Sequence, residues 1–437
     1  MNFGSTVTQL IGFKQSLDFS LCTYTLEMLP PSLKALFAPR VVYIGGRFST
    51  LIISFMFSVI YSRLLGLENR AVLTFIFTIV SLLVLGFTAS LGLSLRERLS
   101  RTHQASLELL IYFKHLLLLT FILLCAFNMS LFLYSLIVAH LSIKIYLVAS
   151  LLLISSSFIQ GMNDCLVALD RLRTVMLFEI SQVIMQILAF FVLEHLFDLS
   201  YINAVMFAIT TTYFTSGVII SILIWKSGLI RYEDISDNLQ LNLITYCKDS
   251  IKVILPTILI DRVDKLLIAI FLPLSTLSRY SILLTFVSLF RFIPESVSKM
   301  YFSKHKLNIQ IRKLRSLPIL IFLPAFIGFG YFLYKFMTLI LLGEDWLMPF
   351  DIFLLVGFYE LIRGIYVVSI NRHYAIGNFK IGNFIPSTSL LVFLSILLPL
   401  VFLGLIGIRG IPIGLTLGYL LILLLGRSLQ KHINYTR

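Results

Sequence analysis

Four charged residues in the C-terminal half of the chain lie inside long apolar stretches. Arg291 and Glu295 are four residues apart, and Glu360 and Arg363 are three apart. Both spacings place the two side chains on one face of a helix. Arginine carries a fixed charge on a planar fork that matches phosphate and carboxylate oxygens. The two pairs therefore either neutralise one another in a closed network or present their arginines to an anionic ligand.

A second group of charges lies a little earlier in the sequence. Asp261 and Lys265 are four residues apart and can pair on one helix face, with Asp264 beside them. Arg262 points about a quarter-turn away from that pair. For this group the sequence leaves two interpretations open. The charges form a structural clamp or an outer gate, or they contact a ligand.

Three further charges, Lys114, Asp164 and Glu179, fall inside apolar stretches of the N-terminal half. Lys114 can neutralise either acid, or it can face a cavity. The candidate ligand-binding cations of the whole chain are Arg291, Arg363, Arg262, Lys252 and Lys114. The candidate carboxylates for coupling to H⁺ or Na⁺ are Glu360, Glu295 and Asp261.

The elements that position these residues follow from the composition. Of the 437 residues, 58% are hydrophobic and only 13% are charged, which cannot supply a polar shell for a water-soluble core of this size. Apolar stretches long enough to cross a bilayer alternate with short polar links, and a helix needs ~20 residues to cross ~30 Å of hydrocarbon. The sequence predicts an all-α polytopic membrane protein. A charge in hydrocarbon costs at least ~2.5–3.5 kcal/mol, so each of the charges above needs a reason.

About twelve transmembrane helices are predicted, arranged as two six-helix bundles around a central cavity. The spans are Tyr43–Leu65, Ala71–Leu93, Leu109–Ala139, Ile145–Ala168, Val175–Leu193, Ala204–Trp225, Thr245–Leu272, Ser281–Phe302, Pro318–Leu342, Pro349–Ile370, Phe384–Ile406 and Ile411–Leu429. Splitting the longest spans would give thirteen or fourteen, and the third span is long enough to tilt, to project from the membrane or to break near Asn128. The predicted segments are an interfacial or cytoplasmic N-terminus (1–42), the first bundle (43–225), a cytoplasmic linker (226–244), the second bundle (245–430) and a cytoplasmic tail (431–437).

Lys and Arg residues concentrate in the links on one side of the predicted membrane. The opposite side carries only Arg63, Arg70, Lys144, Arg279 and Arg409. Because positive residues mark cytoplasmic loops, both termini are predicted to be cytoplasmic. The net charge of +14 follows from this bias and from attraction to anionic lipid headgroups.

Several other kinds of partner and site find no support in the sequence. The basic run Lys299–Arg315 lies in one short loop between spans, which argues against nucleic acid as a partner. The four cysteines are isolated, and the seven histidines lack metal-ligand spacing, so we expect no metal and no cofactor beyond a coupling ion. Nucleotide-binding loops and paired acids in soluble segments do not occur, so we expect no enzyme activity.

Four short motifs, together with the number and spacing of the spans, carry a family resemblance. Ser62–Arg70 follows the first span, and Ser90–Ser94 closes the second. Ile260–Ile268 lies late in the seventh span, and Leu277–Ile282 opens the eighth. The chain thus resembles the multidrug/oligosaccharidyl-lipid/polysaccharide (MOP) flippase superfamily, and within it the bacterial polysaccharide (O-antigen type) flippases. It departs from the family in its long N-terminal stretch and in a Ser-Arg pair that replaces the usual glycine before the tyrosine of the eighth span.

This resemblance implies a flippase in the bacterial inner membrane that moves polyprenyl-diphosphate-linked oligosaccharide for surface polysaccharide synthesis. The cations would then bind the diphosphate in the cavity, and other polysaccharide-assembly membrane proteins would be partners. A cation-coupled multidrug exporter of the same superfamily is the first alternative. However, predicted spans one to six of this chain offer only Asp164 and Glu179 as acids. The others are a peptidoglycan-precursor flippase, which usually has fourteen spans, and an integral-membrane glycan polymerase.

Overall fold

The first helix, α1 (Pro39–Leu83), folds back on itself at Gly66, where φ is 70° and ψ is 178°. The guanidinium of Arg70 bonds the Tyr61 hydroxyl at 2.5 Å and the Ser58 hydroxyl at 3.2 Å. Twelve residues of straight helix would separate Ser58 from Arg70 by ~18 Å, so the two parts of α1 must lie side by side. We call residues 39–65 arm 1 and residues 67–83 arm 2. A positive φ favours glycine, which explains why the reversal occurs at this position.

The computed structural model describes residues 39–101, 105–137, 143–169, 171–197, 199–226, 237–300, 317–375, 392, 395–396 and 407–435. A π-helical turn, Val84–Thr88, joins arm 2 to α2. The helices after α1 are α2 (Ala89–Arg101), α3 (Ala105–Ile137), α4 (Ile143–Ala168), α5 (Leu172–Phe197), α6 (Tyr201–Lys226), α7 (Asp237–Phe271), α8 (Leu274–Met300), α9 (Leu317–Leu341), α10 (Phe350–Ala375) and α11 (Gly410–Tyr435). A short 3₁₀ turn, Glu344–Trp346, follows α9. Within these ranges every regular element is helical.

The described helices bury three apolar clusters. Two of them join α1 or α2 to α3, α4, α5 and α6. The third joins α7, α8, α9, α10 and α11, and it contains buried aromatic side chains such as Tyr280, Tyr334 and Phe353. We call the helices of the first two clusters the N-terminal group and those of the third the C-terminal group.

Arm 2 of α1 belongs to both groups of helices. Ala71 and Phe75 are part of the C-terminal cluster, whereas Leu73 and Ile76 are part of the N-terminal one. These two pairs lie on opposite faces of one helix, since successive residues advance by 100°. Arm 2 also packs against α8 of the C-terminal group. Arm 2 therefore packs against both groups of helices.

The outward faces of the helices are apolar. Leu117 is 72% exposed and Phe121 is 65% exposed on α3, and Phe332 and Phe336 form a stacked, exposed pair on α9. Among the described residues, five helical stretches are long and apolar enough to cross a membrane: Phe48–Arg96, Glu108–Phe132, Ile143–Ala168, Thr174–Leu196 and Tyr201–Lys226. The first of these contains the reversal at Gly66. The chain is a multi-pass α-helical membrane protein.

The predicted spans one to ten and the twelfth all fall on helices, with differences at their ends. Helix α3 runs unbroken past Asn128, whose amide donates to the Leu124 carbonyl at 2.9 Å and whose oxygen accepts from the Ser150 hydroxyl at 2.9 Å. Helix α7 begins at Asp237, inside the predicted linker, because its first turns continue the helix beyond the apolar stretch. Residues 1–38 and nearly all of the eleventh predicted span lie outside the described residues, so the count of twelve stays a prediction.

Candidate functional site

A cavity of about 540 Å³ lies between the two groups of helices. It is lined by α1, α4, α5 and α6 from the N-terminal group and by α7 and α8 from the C-terminal group. Most of the lining side chains are polar, which is unusual in a membrane-embedded helix bundle. A cavity of this size and polarity can hold a hydrophilic group together with water.

The polar lining comes from stripes at helical spacing. On α5 the stripe is Glu179, Gln182 and Gln186, and on arm 2 it is Arg70, Thr74, Thr78 and Ser81, while α4 contributes Ser156, Gln160 and Asn163 and α8 contributes Ser281 and Thr285. Steps of three and four residues keep side chains on one helix face. Each helix therefore turns one polar face to the cavity and its apolar faces to lipid or to its neighbours.

Among the residues that the structure describes, three cations and one carboxylate line the cavity. The cations are Arg70 from arm 2 and Arg262 and Lys265 from α7, and the acid is Glu179 from α5. Arg70 is only 5% exposed, and its guanidinium lies over the Tyr61 ring at 4.4 Å from the ring centre. The ring face and the two hydroxyl contacts hold this charge in place. With all four groups ionised, the lining would carry a net charge of +2, from three positive charges and one negative.

Helix α7 presents its acids to a different face. Asp261 accepts a hydrogen bond of 2.6 Å from Nε of Arg363 on α10 at Oδ1, and Nη2 of the same guanidinium lies 2.6 Å from Oδ2 in an ion pair. Arg363 also bonds Glu360 at 2.7 Å through Nη1, and the Tyr419 hydroxyl of α11 donates to Asp261 at 3.2 Å. This fork geometry is the strongest form of an arginine–carboxylate pair. The network joins three helices of the C-terminal group and is largely buried.

Asp264 lies one turn from Asp261 and is 1% exposed. It accepts a hydrogen bond from the Tyr280 hydroxyl of α8 at 3.0 Å and one from the backbone N–H of Lys265 at 2.8 Å. Burial of a carboxylate requires such partners, because an unpaired charge would be costly in this environment. Among the described residues, no three His, Cys, Asp or Glu side chains group closely enough to hold a metal ion.

The N-terminal group has a buried ion pair of its own. Asp164 of α4 is 2% exposed, pairs with Arg96 of α2 and accepts a hydrogen bond from Gln160 at 3.2 Å. Gly92 of α2 makes room for this carboxylate, since a Cβ there would lie 2.4 Å from the Asp164 Cγ. From the sequence, Lys114 could pair with either Asp164 or Glu179, and Arg96 was predicted to lie in the cytoplasmic link after the second span.

The fold of the described helices matches solved structures of known transporters. The eukaryotic MATE transporter AtDTX14 superposes with a TM-score of 0.65 at 17% identity, over 89% of this chain and 92% of that one. The outward-facing conformation of a multidrug resistance MATE transporter of the MOP superfamily gives 0.59 at 12% identity, over 89% and 92% of the two chains. The lipid II flippase MurJ, in an inward closed conformation, gives 0.61 at 13% identity, over 90% and 87%. We call the fold that the chain shares with these three structures the MOP fold.

The MOP fold agrees with the family resemblance carried by the sequence motifs. No protein-family model matches the chain, and no curated protein sequence matches it either. The three solved structures are described as transporters or flippases, and none as an enzyme. They show the fold of this chain and leave its substrate open.

The predicted site residues lie in different parts of the MOP fold. Arg262 lines the cavity, and Lys114 is exposed on α3. Arg363, Glu360 and Asp261 form the network described above, whereas the sequence grouped Arg363 and Glu360 with Arg291 and Glu295 and placed Asp261 in a separate group. The side chains of Lys252, Arg291 and Glu295 lie outside the described residues.

Two of the cations that line the cavity were not predicted from the sequence as ligand-binding candidates. Arg70 was assigned to an outer link, and Lys265 was assigned to Asp261, whose carboxylate in fact takes Arg363. The uncharged stripe of Gln182 and Gln186 was missed as well. Its signal was present in the sequence, because amides four residues apart in an apolar span mark one polar face.

Proposed function

We propose that this protein is a flippase for polyprenyl-diphosphate-linked oligosaccharide in the bacterial inner membrane, serving surface polysaccharide synthesis. The glycan and the diphosphate would enter the polar cavity, while the polyprenyl tail stays in lipid. The MOP fold supports a transporter, and the sequence motifs that resemble the polysaccharide branch support this class of substrate.

The observation that carries the proposal is the charge of the cavity lining. Among the described lining residues, Arg70, Arg262 and Lys265 stand against one acid, Glu179, in a polar cavity of about 540 Å³. A diphosphate carries negative charge, and arginine and lysine bind phosphate oxygens by charge-assisted hydrogen bonds. Away from bulk water such contacts are stronger than at a protein surface. The lining therefore favours an anionic group over an organic cation.

Alternating access would proceed by movement of one helix group against the other. The contacts that must change include those of α2 with α7 and those of arm 2 with α8, where the Ser278 hydroxyl donates to the Leu67 carbonyl and the Thr74 and Ser281 hydroxyls are 3.5 Å apart. The two hydroxyl contacts are single polar contacts, which cost little to break when water replaces them. Most of the apolar packing within each group would move as a body, while the contact of Ala71 and Phe75 with the C-terminal cluster would change.

Coupling of transport to H⁺ or Na⁺ is part of this proposal. The described candidates are Glu360 and Asp261, and both carboxylates bind Arg363. A proton or a sodium ion arriving at either acid would compete with this guanidinium. Ion binding would therefore loosen the link between α7 and α10, and α7 also carries the cavity residues Arg262 and Lys265.

The test of the proposed function uses a strain that lacks the gene. Cells are labelled with a radioactive sugar, and lipid-linked oligosaccharide is measured at the inner and outer faces of the membrane. We expect accumulation at the inner face and loss of surface polysaccharide, both reversed by the gene. Normal translocation with short, unpolymerised chains would indicate the polymerase instead.

The cation-coupled drug exporter remains a second candidate because the cavity contains Glu179. A membrane-embedded carboxylate can bind both an organic cation and a coupling ion. The matching MATE structures share the fold but are at most 17% identical to this chain, so they do not favour drug export over glycan flipping. Unchanged glycan translocation in the deletion strain, together with cation-dependent drug efflux from vesicles, would favour this candidate.

A further inference from the structure

The cavity has a second wall, which is formed by other residues than the cations. On α4 and α5 it presents the amides of Gln160, Asn163, Gln182 and Gln186. Arg70, Arg262 and Lys265 come from other helices, arm 2 and α7. The cavity thus combines a cationic wall with an uncharged amide wall.

Two atoms of the amide wall are buried without a partner among the described residues. They are the Nε2 donor of Gln182 and the Oδ1 acceptor of Asn163. Gln182 and Gln186 are each only 7% exposed, although both line the cavity. A buried amide that lacks a partner is unfavourable, so this wall is built for a ligand or for water that supplies donors and acceptors.

The chemistry of this wall selects the kind of ligand. An amide side chain offers two donors and an acceptor, which matches the paired hydroxyl and acetamido groups of sugars. Among the described lining residues, α4 and α5 contribute no cation, and their one charged group is the acid Glu179. A sugar that carries a carboxylate or a phosphate would find no positive partner on this wall.

We propose that Gln160, Asn163, Gln182 and Gln186 form a glycan-binding wall that takes an uncharged sugar next to the diphosphate. The inference rests on the proposed flippase function and adds the class of sugar. The diphosphate lies against Arg262 and Lys265, and the first sugars of the oligosaccharide lie against α4 and α5. The amide wall then contributes specificity, and the cations contribute affinity for every substrate.

The test measures binding to the purified full-length protein in lipid nanodiscs. Three probes are compared: bare polyprenyl diphosphate, the same lipid carrying an N-acetylglucosamine–hexose disaccharide, and the same lipid with glucuronic acid in place of the hexose. We expect the neutral disaccharide to improve the affinity by about tenfold over the bare lipid, as one or two added hydrogen bonds would. The acidic disaccharide keeps the N-acetylglucosamine next to the diphosphate, but it should bind more weakly than the neutral one, because its second sugar meets no positive partner on this wall.

Substitutions test whether the gain in affinity comes from the amide wall. Gln182→Leu with Gln186→Leu should remove the tenfold gain and leave the affinity for bare lipid unchanged. Asn163→Leu, which alters α4 alone, should reduce the gain to about threefold. Ser181→Leu changes an exposed position on α5 and is the matched control, with wild-type behaviour expected.

The outcomes separate the two proposals. If the wild type binds bare lipid but gains nothing from the neutral sugar, or if the leucine variants keep the full gain, the glycan-binding wall is overturned and the flippase proposal stands. If the acidic disaccharide binds as tightly as the neutral one, the restriction to uncharged sugars is wrong. If the wild type binds none of the three lipids, both proposals fail.

Discussion

Arg363 of α10 holds Asp261 of α7 through a hydrogen bond and an ion-pair contact, each of 2.6 Å, across a sequence separation of 102 residues. The same guanidinium bonds Glu360, so one cation serves two largely buried acids. This relationship fixes which face of α7 is turned to the C-terminal helices, and it leaves Arg262 and Lys265 of the same helix on the cavity wall.

Removal of this cation should destabilise the protein strongly. In Arg363→Met, Asp261 and Glu360 lose their shared positive partner, and breaking a buried pair from one side costs about 3–5 kcal/mol. The measurement is thermal unfolding of the purified protein in detergent, followed as Tm. Arg409→Gln is the control, because its 2.6 Å pair with Asp351 is exposed and should contribute less than ~1 kcal/mol. Equal Tm values for the two variants would argue against a structural role for the Arg363 network.

The pair Arg96–Asp164 should be sensitive to the residue at position 92. In Gly92→Ala the new Cβ would lie 2.4 Å from the Asp164 carboxyl, so α2 or α4 must shift. We expect a loss of about 1–3 kcal/mol, as for other overpacked positions. Gly328→Ala on α9 is the control, since a Cβ there meets nothing within 4 Å. Yield and Tm of both variants check this, and a Gly92→Ala protein as stable as wild type would contradict the close packing of α2 against α4.

The contact between arm 2 and α8 should be breakable during transport. With Thr74→Cys and Ser281→Cys together, oxidation should form a disulfide, because the two hydroxyl oxygens of the native side chains are 3.5 Å apart. If the two helix groups move against each other there, the crosslinked protein should lose export, and a reductant should restore it. Each single variant controls for the substitutions. Full export by completely crosslinked protein would show that this contact persists through the cycle.

Much of the fold follows directly from the sequence, because apolar stretches of membrane-crossing length fix where helices lie. The reversal at Gly66 falls between the first and second predicted spans for this reason. The site was harder to predict. Spacing along α7 favoured Lys265 as the partner of Asp261, but the actual partner comes from α10, and the sequence does not encode which helices become neighbours.

Arg70 illustrates the second limit of the sequence. Its position in a link between spans predicts an outer, solvated charge, yet its side chain is buried against Tyr61 and lines the cavity. The tight turn at Gly66 draws this residue back alongside arm 1. Polar residues repeated at helical spacing, such as Gln182 and Gln186, predict the cavity wall better. Their periodicity depends only on the helix that carries them, so it can be recognised without knowing which helices pack against it.

The central claim is that a cationic cavity carries a diphosphate-linked glycan. Removing charge from the cavity lining tests it most directly. In the deletion strain, wild type is compared with Arg262→Gln plus Lys265→Gln, and with Lys114→Gln as a control that removes an exposed cation from α3. The quantity measured is the rate at which labelled lipid-linked oligosaccharide appears at the outer face, at equal protein level. The account predicts at least about a tenfold slower rate for the cavity variant, as for the loss of one charge-assisted hydrogen bond, and a wild-type rate for Lys114→Gln. Normal export by the cavity variant would contradict it.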